Sequence, residues 1–140
     1  PYFELQKASA AIPEGAAAGT QWIALDTKCS GTDAVEGKGG NIGVSQVLKV
    51  NAQHLYFINF ATRRNTVPTR FSPDAKLVVS WAGGQRLGFE SKNMTWQTHS
   101  FNVFSQSNAV QIEFTELGVA NNEGTLLDDV SVIDLGVPPK

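Results

Sequence analysis

Apolar and polar residues alternate with a period of two along nearly the whole chain, which predicts strands rather than helices. Between Gln21 and Asp26, Trp22 and Ala24 fall on one side and Ile23 and Leu25 on the other, so both faces are partly apolar. From Ile42 to Val50 the even positions are Ile42, Val44, Gln46, Leu48 and Val50, a half-buried strand with one polar residue, Gln46, in its inward set. Tyr56, Ile58 and Phe60 alternate with Phe57, Asn59 and Ala61, and Leu77, Val79 and Trp81 with Lys76, Val78 and Ser80. Phe101 and Val103 are the inward residues of a strand over 96–104. Val110, Ile112 and Phe114 face away from Gln111, Glu113 and Thr115. In the last strand, 126–135, parity puts Asp128 on the same face as Val130 and Val132.

Turn chemistry separates these stretches. Asn51-Ala52-Gln53 is hairpin-sized, and Ala82-Gly83-Gly84 reverses the chain into the strand 85–90. The Ala-rich run 8–18 is broken by Pro13 and Gly15 and reads as a loop. The stretch 62–73 has two prolines, three arginines and no alternation, and reads as a long loop at one end of the molecule. About eight or nine short strands with turns between them predict an all-β fold, an antiparallel two-sheet sandwich of jelly-roll or Greek-key type.

Composition narrows the function classes. The chain has 140 residues, enough for one domain with a core, and only 17% are charged, which argues against a helical bundle or coiled coil. Eleven basic against thirteen acidic residues give a net charge of −2, without the positive surplus that nucleic-acid binding needs. No apolar run reaches the length of a membrane span. Cys29 is the only cysteine, so no internal disulfide can form. We expect a single module over 1–135, with 136–140 as the start of a linker or tail, cut from a larger multidomain protein.

The pieces Gly19-Thr-Gln-Trp22-Ile-Ala-Leu-Asp26, Ser45-Gln46-Val-Leu48, Tyr56-Phe-Ile58-Asn-Phe60, Trp96-Gln-Thr-His-Ser-Phe101 and Gly124-Thr-Leu-Leu-Asp128-Asp129-Val130, in that order, resemble the galactose-binding-like β-sandwich domains. More closely they resemble the DUF642-type and bacterial cell-surface members, over roughly residues 3–135. That resemblance implies a jelly-roll sandwich, a setting on a secreted or cell-surface protein, frequent carbohydrate binding and a structural Ca²⁺, with no catalysis. Since the fold hosts many roles, the alternative is a structural or adhesion spacer that binds protein. The family's usual first strand is either Phe3-Glu4-Leu5 or missing.

The candidate residues follow. A carboxylate facing a core needs hydrogen bonds or a cation, and the resemblance implies calcium at Asp128; Glu4, Glu14 or Asp26 and carbonyls of the Gly-rich loops are the candidate co-ligands. The alternative for Asp128 is a set of backbone N–H donors. Arg63, Arg64 and Asn65 offer planar hydrogen-bonding groups to sugar hydroxyls, or else an arginine that braces the sandwich end. The outward residues Asn59, Gln111 and Glu113 are further ligand candidates. Trp22 is a binding platform if exposed and core if not; Trp81 and Trp96 read as core. Gln46 reads as a buried bracket between sheets. Asp33, Glu36 and Asn41 lie in a Gly-rich loop that either holds a second cation or is simply solvated. His54 and His99 form no metal-binding spacing, and no nucleophile motif is present. A polysaccharide or glycan is the expected partner, with no nucleic acid and no membrane insertion.

Overall fold

The computed structural model describes residues 4–7, 15–28, 39–65, 75–91, 94–118 and 124–140. Eleven strands occur in them: β1 (Glu4–Lys7), β2 (Gln21–Ala24), β3 (Asp26–Lys28), β4 (Gly39–Asn41), β5 (Gly43–Lys49), β6 (Leu55–Arg64), β7 (Lys76–Trp81), β8 (Gln85–Glu90), β9 (Gln97–Phe104), β10 (Ala109–Glu116) and β11 (Thr125–Gly136). They make a five-stranded sheet in the order β1-β2-β11-β6-β9, a four-stranded sheet β5-β10-β7-β8 and a two-stranded ribbon β3-β4. Every pairing is antiparallel. No helix among the described residues is long and apolar enough to cross a membrane.

The inward sets read from the sequence form the core. Ile58, Phe60, Val103 and Leu127 from one sheet meet Leu77, Val79, Trp81, Val110, Ile112 and Phe114 from the other. Phe60 is fully buried and ties the sheets together: its ring lies 5.2 Å from Phe114 and 5.2 Å from Phe89 across the gap. Burying such a side chain contributes about 1.5–3 kcal/mol.

Three local expectations change. Asn51-Ala52-Gln53 is not a hairpin, because β5 and β6 belong to different sheets. It is a corner by which the chain crosses the sandwich, and Gln53 takes φ 67° there. The hairpin between β7 and β8 does form, with Ala82 and Gly83 both at positive φ. Thr62, Arg63 and Arg64 continue β6 instead of opening a loop. Antiparallel partners on both sides, β11 and β9, hold Thr62 in the ladder although these side chains are polar. The third change is in β11. Between Asp128↔Ala61 and Ser131↔Asn59 the register slips by one residue, a bulge at which Asp129 takes φ 50°. Inward positions are odd before the bulge (Leu127) and even after it (Val132). Asp128 therefore shares the outer face with Leu126, not the core face with Val132.

Of the loops read at 8–18, 30–41 and 62–73, residues 8–14, 30–38 and 66–73 lie outside the described residues, and with them Glu14, Asp33 and Glu36; Cys29 lies outside them too.

Candidate functional site

The outer face of the five-stranded sheet is capped at one end. Trp22, Ala24 and Leu126 are buried there under Ala16 and Trp96. The Trp22 and Trp96 rings meet edge to face at 6.1 Å, and the Trp96 indole N–H donates to the Gly15 carbonyl at 2.8 Å. Trp22, 2% exposed, is thus core and not a binding platform. Arg63 is just as buried, with its guanidinium carbon 5.9 Å from the centre of the Trp96 ring and its Nε–H aimed at the Arg64 carbonyl. It braces this end of the sandwich rather than standing free in a loop. Asp128 closes the cap: Oδ2 accepts the Ala18 N–H at 2.9 Å and Oδ1 accepts the Asp129 N–H at 2.8 Å. These are the backbone donors of the alternative reading.

Of the three expected metal ligands, the side chains of Asp128 and Asp26 are described and that of Glu4 is not. Asp128 is on the outer face with both oxygens engaged. Asp26 is buried beside Glu116, and both border Gly124, where an added Cβ would lie 2.5 Å from the Asp26 Cβ and 3.1 Å from Glu116 Oε2. The Glu4 backbone pairs with Ala24, and its side chain is outside the description. No group of three or more His, Cys, Asp or Glu side chains gathers among the described residues. Asn41 also serves structure, its side-chain amide donating to the Gly118 carbonyl.

Beyond the cap the same face is open. Two rows cross β11, β6 and β9: Ser131, Asn59 and Ser100 in one, Ile133, Phe57 and Asn102 in the next. Ser100 donates to Asn59 Oδ1 at 2.8 Å, which orients the amide. Ile133 is 50% exposed and Phe57 is half-buried. The rows combine uncharged hydrogen-bonding groups with an apolar surface.

Of the expected ligand residues, only Asn59 joins these rows. Gln111 and Glu113 are outward too, but on the four-stranded sheet, at the opposite side of the sandwich. There Gln111 donates to Ser45 Oγ at 3.0 Å and Glu113 accepts from Thr115 Oγ1 at 3.2 Å. Arg64 and Asn65 are half-buried at the end of β6, with the Asn65 N–H on the Gly124 carbonyl. Gln46, expected to be buried, is exposed, because β5 is an edge strand and its inward side opens on an apolar cleft lined by Val44, Ile112 and Leu127.

A recess of about 340 Å³ lies where β6, β8 and β9 end together. Thr62, Ser91, Thr98, Gln97 and His99 line it, and Arg63 and Glu90 complete its walls. Thr62 Oγ1 is 2.8 Å from His99 Nε2 and accepts from Ser91 Oγ at 3.3 Å. Burial holds the His99 pKa below its ordinary 6.5, since the charged ring loses water there. The sequence reading passed over this recess, though a signal was present. Thr62 and His99 extend the inward rows of Phe60 and of Phe101 by one step of two, placing polar groups at the end of a core.

No family model and no curated protein matches the sequence. Among solved structures, the chain is similar to one described as "CBM4 structure and function", a family 4 carbohydrate-binding module. The TM-score is 0.57 at 19% identity, over 86% of this chain and 74% of that one. At this identity the likeness is one of fold. It agrees with the all-β, two-sheet antiparallel sandwich and gives the DUF642-type branch no particular support.

Proposed function

We propose that this chain is a non-catalytic carbohydrate-binding module that holds a glycan on the open outer face of the five-stranded sheet. One observation carries the reading: the rows Ser131–Asn59–Ser100 and Ile133–Phe57–Asn102. Sugars present hydroxyls around their rim and C–H groups on their faces. A site of fixed amides and hydroxyls beside an apolar patch complements both. The module-like fold supports the same reading by analogy. We place the module in a secreted or surface protein of several domains, and the proposed recognition uses no calcium.

The experiment is affinity electrophoresis and calorimetry against a panel of neutral polysaccharides, with Asn59→Ala and Phe57→Ala beside the wild type. Retardation by at least one polysaccharide, weakened in both variants, supports the reading. A second reading, protein adhesion, has one observation in its favour: Ile133 and Leu135 of β11 and Val137 beyond it are 50%, 51% and 67% exposed. Absence of retardation by every polysaccharide would shift the assignment to it.

A further inference from the structure

We propose that the recess at the ends of β6, β8 and β9 binds a single neutral sugar unit, the terminus of a glycan whose body lies on the adjoining face. This rests on the carbohydrate-binding reading and adds to it a second subsite and a ligand class.

Size and position make the first argument. At about 340 Å³ the recess has room for about ten waters, which is enough for a hexose ring. It adjoins the open face along β9. Thr98 lines the recess and Ser100 belongs to the polar row on the same side of that strand. Two residues along a strand span roughly 6.6 Å, a step that neighbouring sugar units can bridge.

The second argument is chemical. Thr98 offers a hydroxyl that donates and accepts, while Ser91 Oγ, which donates to Thr62, and the Gln97 amide oxygen, whose NH2 donates to Thr95 Oγ1 and the Trp96 carbonyl, are left to accept from a polyol without requiring charge. The charged walls balance: Arg63 comes from β6 and Glu90 from β8, while burial of His99 on β9 disfavours its charged form. No surplus positive charge is left to offset the carboxylate of a uronic acid or a sulfate ester. The recess is also pre-arranged. Thr62, 1% exposed, bonds both His99 and Ser91. The His99 ring is held at 4.8 Å from Phe89 and 5.2 Å from Phe60. Groups fixed before binding lose little freedom on binding.

The test is calorimetry with neutral gluco-, xylo-, manno- and galacto-oligosaccharides, with oligogalacturonate as the charged probe. Three variants are compared: Ser91→Ala, Gln97→Trp, which fills the recess from an exposed position, and Asn59→Ala on the face. Unchanged melting temperatures show that each variant is folded. The expected result is that a neutral oligosaccharide binds, that Ser91→Ala and Gln97→Trp each weaken it about tenfold or more, and that oligogalacturonate binds less well. If Asn59→Ala weakens binding while both recess variants leave it intact, the recess proposal fails and the face reading stands. If oligogalacturonate binds more tightly than any neutral probe, the ligand class is wrong. If no oligosaccharide binds the wild type, the carbohydrate reading fails and takes the recess with it.

Discussion

Glu116 is 1% exposed, and its carboxylate is held by three backbone N–H donors. Oε1 accepts the N–H groups of Lys76 (2.7 Å) and Gly118 (2.9 Å), and Oε2 accepts that of Thr125 (2.8 Å). One side chain thereby joins β7, the end of β10 and the start of β11. Removing it strands three N–H groups at roughly 1–3 kcal/mol each. Glu116→Ala is expected to cost about 3 kcal/mol or more in urea unfolding, whereas Glu113→Ala, on the outer face, stays within about 0.5 kcal/mol of wild type. Asp134 carries the pH dependence at the other end of the sandwich. The Gly136 N–H first, then the side chains of His54, Asn51 and Tyr56, hold its carboxyl at about 2 against an ordinary 3.8. A folded pKa below the unfolded one means that the carboxylate stabilises the fold above pH 3.8, and that this contribution is lost as pH falls toward 2. The urea midpoints of wild type and Asp134→Asn are therefore expected to differ at pH 6 and to converge by pH 2.

Strand positions were legible at the scale of elements because the sequence alternates wherever one side faces the core. What alternation does not reveal is a change of phase. Counting back by twos from Val132 reaches Asp128, but the extra residue at the bulge turns Asp128 outward. Nothing in Asp128-Asp129-Val130 marks that residue, since αL is open to Asp as a side chain that tolerates it. The corner at 51–53 escaped for a similar reason: three turn residues between strands look alike whether the strands pair or separate into two sheets. The outward Asp128 has a consequence of its own, because its Oδ2 holds the Ala18 N–H and so fastens the segment 15–20 over Trp22. Asp128→Ala is expected to cost about 1–2 kcal/mol and to speed amide exchange at Ala18 and around Trp96, leaving exchange in β10 unchanged.

For the whole molecule, parity separates inside from outside but not one outside from the other. Asn59, Gln111 and Glu113 are all outward by pattern, yet a two-sheet sandwich has two outer faces, and only the order β1-β2-β11-β6-β9 against β5-β10-β7-β8 assigns them. The candidate site was for this reason half legible: Asn59 was found, while its partners Ser100, Asn102 and Ser131 are small polar residues that carry no chemical signature alone. The two faces make opposite demands on the same measurement. With the glycan on the five-stranded sheet, losing the Asn59 amide removes one or two hydrogen bonds, worth about 1 kcal/mol each or roughly fivefold in affinity. Gln111→Ala, across the sandwich, leaves the dissociation constant where it was. The same experiment settles the role of calcium. A ligand held by amides, hydroxyls and an apolar patch needs no cation, and Asp128 already has two N–H partners, so affinity is expected to be equal in EDTA and in millimolar Ca²⁺. Binding that required Ca²⁺ would move the site off this face, toward residues such as Asp26.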